Sequence, residues 1–394
     1  MSRIEGSGPI HLTHALAAIL VGLTFTAEAQ AQRRTFGPGV CGPLDAAYVN
    51  TASETGGQPF PMSPAELVNM SVVMAEATPS DSVLLLWAGG TRADDTTFTI
   101  PVDPAVSRVT FSTTFDGTGG AVTIAGPDGT VVKPGPAVQD TSMSCGRIVS
   151  VDAPTVGDWR VTVKPTERFW LVIHGRSELD LMSADFVRPG GHPGHEGLFK
   201  MEGRPVAGRP AMLRVRLSDS NADAKAPVFT LVSSQGGPIR TLDLAPVDDR
   251  EFVGPIDLPT QAFRVAVTRV DGAGTNVQRV HARLFRAEPI EVVPGAPVKA
   301  AAGRESTVVF VVRNLGPRAR FRMTALADGQ LVPRVEPAMV DIEQGAEQRV
   351  IVRAPVPATA ATDSEIEIRL VASLEATKDP HFNSGVQRVL VVKD

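Results

Sequence analysis

The sequence predicts a mainly β chain built as three consecutive antiparallel β-sandwiches, preceded by a short α-helical segment. Three observations predict it. From the eighties to the C-terminus, short runs place apolar residues at every second position, the period of a half-buried strand. The 36 Gly and 32 Pro fall between those runs, where the turns of an all-β chain need them. The 394 residues make about three domains at roughly 100–150 residues each.

Residues 1–31 read as a secretory signal. Arg3 supplies a weak positive start, residues 15–25 (ALAAILVGLTF) an apolar stretch, and Ala27, Ala29 and Ala31 the small residues of a cleavage site. The stretch is shorter than the about 20 residues that span a bilayer. No later segment is longer and as apolar. The mature chain is therefore expected outside the cytoplasm, secreted or periplasmic, with no transmembrane segment. Val40 precedes Cys41, where a lipid-attachment motif wants a small residue.

Two helical patterns follow a polar lead-in at 32–42. Residues 43–53 put Leu44, Ala47 and Tyr48 on one face. Residues 64–75 open with Ser63 as N-cap, Pro64 at the first position and Glu66 three residues after the cap, a capping box. Segments this short bury too little apolar surface to stand alone, so both helices are expected to pack on the first sandwich.

Beyond them the period becomes two. Residues 82–87 (SVLLLW) form a short apolar strand. Trp159, Val161 and Val163 alternate with polar neighbours, as do Leu213, Val215 and Leu217, then Phe263, Val265 and Val267, then Ile366, Ile368 and Leu370. Residues 307–312 (TVVFVV) are apolar on both faces and predict a central strand. Turn signals stand at Gly126-Pro127-Asp128-Gly129, Gly236-Gly237, Asp271-Gly272 and Asp328-Gly329. Breaker-rich stretches at 188–194 and 289–297 mark the seams. The expected units are 32–77, 78–188, 189–288 and 289–394.

The net charge of −5 has mixed signs and no basic stripe, which argues against a nucleic-acid partner. No nucleophile elbow, phosphate-binding loop or dinucleotide fingerprint is present, so no catalytic and no cofactor-binding residue is assigned. His192, His195 and Glu196 cluster in GGHPGHEG and carry ligand atoms for a transition metal. Their spacing matches no zinc motif, and a solvated loop is the simpler reading. Asp140-Thr141-Ser142-Met143-Ser144 fits D-x-S-x-S, but no apolar parallel strand leads into it, so it reads as a polar loop. Asp94-Asp95 and Asp248-Asp249 would suit a structural calcium ion or, more simply, solvated turns. Cys41 and Cys145 either pair, as export allows, or stay as separate thiols. Trp159 and Trp170 lie on alternating strands and read as core, while Trp87 is ambiguous. A ring-stacking sugar site is therefore disfavoured.

Several segments together resemble the hemicentins and a related von Willebrand factor A domain-containing protein. They are Asp45-Ala46-Ala47-Tyr48, Thr55-Gly56-Gly57-Gln58-Pro59-Phe60 and Glu66-Leu67. Then come Val83-Leu84-Leu85-Leu86, residues 98–103, residues 109–112, Ala125 to Gly129 and PTVGDW at 154–159. Residues 177–181, Asp185-Phe186 and 204–208 continue the resemblance, and residues 311–316 (VVRNLG) look immunoglobulin-like. The resemblance implies a residual A-domain tail at 32–77, with a last strand at 58–61 and a final helix at 64–75. It implies a galactose-binding-like (jelly-roll-like) sandwich at 78–188 and immunoglobulin-like sandwiches after it. The A domain's earlier elements, including its metal-binding strand end, do not precede this tail, so A-domain metal binding is not carried over. The expected function is a non-catalytic, exported binding, adhesion or scaffold role toward a protein or surface glycan. The alternatives are a carbohydrate-binding accessory module and a metal-dependent hydrolase on the His192/His195 loop.

Overall fold

The computed structural model describes residues 41–77, 82–91, 94–165, 167–191, 194–218, 225–328, 331–375 and 381–393. The expected signal at 1–31 lies outside the described residues. The described residues form one compact unit, and its sheets face one another in three pairs, each closing on its own apolar core.

The first pair uses β1 (Ser82–Thr91), β2 (Thr96–Val102), β3 (Arg108–Asp116), β4 (Ala121–Ala125), β5 (Val138–Met143), β6 (Gly146–Asp152), β7 (Gly157–Lys164) and β8 (Arg168–Arg176). Sheet β1-β8-β3-β6-β5 faces sheet β2-β7-β4. Phe111, Leu171 and Ile173 of the larger sheet meet Ile100, Ile124, Trp159 and Val161 of the smaller. A bulge between Leu84 and Leu86 shifts the β1 register. A one-residue shift reverses facing, so Val83, Leu85, Leu86 and Ala88 join the core while Leu84 and Trp87 turn outward into a second cluster.

The second pair uses β9 (Leu181–Gly190), β10 (Gly197–Lys200), β11 (Ala211–Leu217), β12 (Val228–Ser233), β13 (Pro238–Leu242), β14 (Ala245–Pro246), β15 (Glu251–Ile256), β16 (Phe263–Val270) and β17 (Asn276–Val280). Its sheets are β10-β9-β11-β15-β14 and β13-β12-β16-β17. Strand β9 pairs with β11 from Leu181 to Val187. The breaker-rich stretch that starts at residue 188 thus begins inside β9, where residues 188–190 pair with β10 within this pair, and the seam lies earlier, between Arg176 and Leu181.

The third pair uses β18 (Ile290–Pro294), β19 (Val298–Ala301), β20 (Glu305–Asn314), β21 (Ala319–Ala327), β22 (Arg334–Glu336), β23 (Met339–Ile342), β24 (Glu347–Pro355), β25 (Glu365–Leu374) and β26 (Phe382–Val392). Its sheets are β18-β20-β24-β22 and β19-β26-β25-β21-β23. The stretch expected as a linker at 289–297 instead contains strand β18, with Ile290 and Val292 in the core. Strand β20 is central, as its apolar run requires. One pairing departs from the antiparallel rule: β19 runs parallel to β26.

The helical segment covers the outer face of sheet β1-β8-β3-β6-β5. Helix α1 (Ala46–Glu54) is capped by Asp45, whose carboxylate accepts from the Ala47 N–H at 2.8 Å. A 3₁₀ helix, Pro64–Asn69, carries the Ser63/Glu66 capping box and runs into α2 (Met70–Ala77). No strand forms at 58–61. Val73 packs on Ile148 of β6, and Glu76 binds Arg108 of β3 at 2.8 Å. A disulfide joins Cys41 to Cys145, with Cα atoms 5.6 Å apart. This cover explains why Thr110, Ser112, Thr114 and Ser150 are buried on a face that would otherwise meet water. The segment does not rest on the first pair alone. Val49 of α1 packs on Leu84, Trp87, Trp170 and Val172 but also on Ala266 and Val280 of the second pair.

Candidate functional site

The three sheet pairs and α1 are locked by buried polar contacts, and the locks define a cleft. Between the first and second pairs, Arg279 of β17 reaches Asp103, just beyond β2, at 2.7 Å, both side chains nearly inaccessible. At the same seam, Arg264 of β16 is 1% exposed. Its Nε donates to the Ala282 carbonyl at 3.1 Å and an Nη to the Ser53 carbonyl at the end of α1. Its guanidinium lies 4.2 Å from the Trp87 ring, whose indole N–H donates to the Gly57 carbonyl at 2.9 Å. Burial pushes the Arg264 guanidinium down to about 9. The carbonyl end of α1 is the partially negative end of that helix, which suits a cation. Gly56, at φ +84, turns the chain here with Ala282 so close that a Cβ would stand 2.7 Å from it.

Between the second and third pairs, Glu288 is fully buried between Arg204 at 2.7 Å and His381 at 2.9 Å. Arg204 also binds Glu54 of α1 at 3.0 Å and stacks 3.8 Å over Phe382 of β26. Asn383 completes the lock. Its amide oxygen accepts from the Arg204 N–H at 2.8 Å, and its nitrogen donates to the Ile290 and Arg204 carbonyls. Each buried polar group here has a partner, the condition under which burial costs least.

In front of this lock opens a cleft of about 700 Å³, walled by the 200–205 loop, the 281–286 loop, Arg369 of β25 and Phe382 of β26. Five cations line it (Lys200, Arg204, Arg283, Arg286 and Arg369) against two carboxylates, Glu54 and Glu202. Lys200 is committed to Asp185 and Arg369 to Glu202 and Glu367. Arg283 lies 5.2 Å over the Phe285 ring. Among the described residues neither Arg283 nor Arg286 has a carboxylate partner. His281, half-buried in the same wall, is pushed down to about 4 by desolvation and is neutral near pH 7. A neutral imidazole and guanidinium groups without a carboxylate partner can bind anions, and among the described residues lining the cleft none is an activated nucleophile.

The residues singled out from the sequence lie elsewhere. His192 is outside the described residues, and His195 and Glu196 are exposed in the β9–β10 connection. Among the described residues no three His, Cys, Asp or Glu side chains are placed to hold a metal ion. Asp140 lies on strand β5 rather than in a loop, and Arg147 grips its two carboxylate oxygens at 2.9 and 2.6 Å. Asp95 pairs with Lys164, and Asp248 accepts the Arg250 and Glu251 N–H groups of its own turn. Trp87, Trp159 and Trp170 are all buried.

Comparison with known proteins matches the first sheet pair. Residues 82–178 fit the family described as "Hemicentin galactose-binding domain-like", and those bounds run from the first residue of β1 to just past β8. Mouse Hemicentin-1 is 26% identical over 257 residues, which is 64% of this chain and 4% of that protein. The chain thus spans a small fraction of the curated relative it matches. Solved structures overlap loosely. A DUF4785 family protein from Legionella pneumophila gives a TM-score of 0.37 at 10% identity, covering 78% of this chain and 93% of that one. Escherichia coli alpha-2-macroglobulin gives 0.24 at 12% identity, covering 79% and 33%. Residues 82–178 are therefore similar to a hemicentin-type galactose-binding-like domain, and the matched family leaves out the 32–77 segment.

Proposed function

We propose that this chain is an exported, non-catalytic binding or scaffold protein that holds an acidic segment of a protein partner in the cleft between its second and third sheet pairs. The observation that carries this reading is the pair Arg283 and Arg286. They line a cleft in which the other cations are committed to carboxylates of the chain itself, and they are left to meet carboxylates from outside. Arginine suits that task because its planar fork binds a carboxylate through two parallel hydrogen bonds. The Arg204–Glu288–His381 lock supports a rigid cleft, which lowers the ordering cost of binding. The hemicentin-type likeness of residues 82–178 supports an extracellular setting. Among the described residues no helix is long and apolar enough to cross a membrane. A glycan partner is less well supported, because all three Trp are buried and offer no ring face to a sugar.

Poly-L-glutamate immobilised on a sensor surface tests this reading. Wild-type protein is expected to bind it saturably, and Arg283→Glu with Arg286→Glu to weaken binding by about tenfold or more. Capture that is absent, or indifferent to the double reversal, would remove the cleft from the functional account.

A further inference from the structure

A second cavity, of about 420 Å³, lies between the helical cover and the outer face of the first sheet pair. It shares no residue but Thr55 with the arginine-lined cleft. Its size falls in the range of small-molecule sites, roughly 300–1,000 Å³. Phe60, Met62, Met70, Val73, Met74 and Val172 give it an apolar wall, and among the described residues no Asp, Glu, Lys or Arg lines it.

Its polar members are unusual. Both amide atoms of Gln58, the Ser112 hydroxyl and the His174 Nδ1 are closed off from the surface, with no hydrogen-bond partner among the described residues. Ser112 is 1% exposed. A buried polar atom without a partner costs about 1–3 kcal/mol, and such groups are rare enough that each asks for an explanation. Three residues lining one cavity share the same deficit. Gln58 offers one donor and one acceptor side by side. His174 is neutral near pH 7, since burial pushes its imidazole down to about 4. The methionines that wall the cavity are flexible, and exposed Met74 stands at its rim, so the wall can shift to admit a head group.

We infer that this cavity is a binding site for a small neutral ligand with an apolar body and an amide or hydroxyl head, the head pairing with Gln58, Ser112 and His174. An ionised head would be buried in a site with no opposite charge, which is far costlier than burying a neutral one.

Isothermal titration with three ligands of one chain length tests it: decanamide, decanoate and decylammonium. Decanamide is expected to bind saturably, and the two ions about tenfold more weakly or worse. Two variants carry the argument further. Gln58→Leu removes both unpartnered amide atoms, and is expected to lose about tenfold in decanamide affinity while melting at or above the wild-type temperature. Met74→Trp narrows the rim at an exposed position and is expected to weaken decanamide without unfolding the chain. Absence of decanamide binding would overturn the inference, as would equal binding of all three ligands. So would a Gln58→Leu protein that melts lower yet keeps wild-type affinity, because Gln58 would then be a structural strut.

Discussion

Arg279 Nη1 lies 2.7 Å from the Asp103 carboxylate across the seam between the first and second sheet pairs, with both side chains 1% exposed. The guanidinium is saturated. Besides two contacts to Asp103, it donates to the carbonyls of Leu179 and Gln278 and to the Ser177 hydroxyl. All five N–H groups of the fork are used. Removing one partner leaves the other charge buried and alone, so Arg279→Met is expected to cost about 3–5 kcal/mol. Pairing it with Asp103→Leu removes both charges and should recover much of that loss. Denaturant melts of the two single variants and the double variant measure the coupling; simple additivity would show that the pair does not act as a unit.

Arg264 is the contrasting case. It is as buried as Arg279 but, among the described residues, faces no carboxylate. Its charge rests on the carbonyls of Ser53 and Ala282 and on the Trp87 ring, and one Nη has no partner. Arg264→Met is expected to cost about 2–3 kcal/mol through the lost charged hydrogen bonds. The loss should concentrate where α1 docks, so limited proteolysis should cut near residues 46–60 first. Arg264→Lys should not rescue it, because a compact ammonium cannot reach two carbonyls and cover an indole at once. Cleavage that begins instead in the third sheet pair would refute this assignment.

These two arginines show how far the sequence carries. Strict alternation made the inward residues of β7, β11 and β25 legible, and Trp159, Leu213, Val215, Ile368 and Leu370 are indeed core. The same alternation sent Arg264 to solvent, yet it is buried. A period of two separates the faces of a strand but does not say what covers the outer one. Here α1, α2 and the neighbouring sheet pair do. Pro- and Gly-rich stretches misplaced the seams for a related reason: the same residues punctuate a hairpin connection and a linker. The cleft was not legible locally at all. Arg204 and Glu288 stand 84 residues apart, and Glu288 and His381 stand 93 apart, so only the packing of two sheet pairs brings them together. The Ser63/Glu66 capping box, by contrast, was fully local and forms as written.

The Cys41–Cys145 disulfide closes a span of 104 residues and pins the start of the helical cover to the β5–β6 turn. A closed loop of that length is worth about 4–5 kcal/mol on a chain-entropy model. Replacing both cysteines by Ala is expected to lower stability by about 2–5 kcal/mol. It should also raise hydrogen exchange across 41–77 before it does so in β20 or β25. Exchange that rises evenly over the whole chain would show that the cover unfolds only with the sheets.

Glu66 ties the middle of that cover to the same turn, and its effect should depend on pH. Burial raises its carboxyl, but the N–H groups of Ser144 and Ser63 and the hydroxyls of the same two residues outweigh burial and hold it at about 2, against 4.5 when free. Between those values the unfolded chain binds the proton more readily than the folded one. The stability Glu66 contributes is therefore complete above about 4.5 and disappears as pH falls toward about 2. Glu66→Gln keeps an acceptor for the Ser63 N–H but has no charge to lose. At pH 7 the variant should be less stable by about 1 kcal/mol, the scale of a weakened helix cap. The two melting curves should converge as pH drops from 4.5 to 2. A gap that stays constant across that range would mean the carboxylate's charge has no part in holding the 3₁₀ helix to the β5–β6 turn.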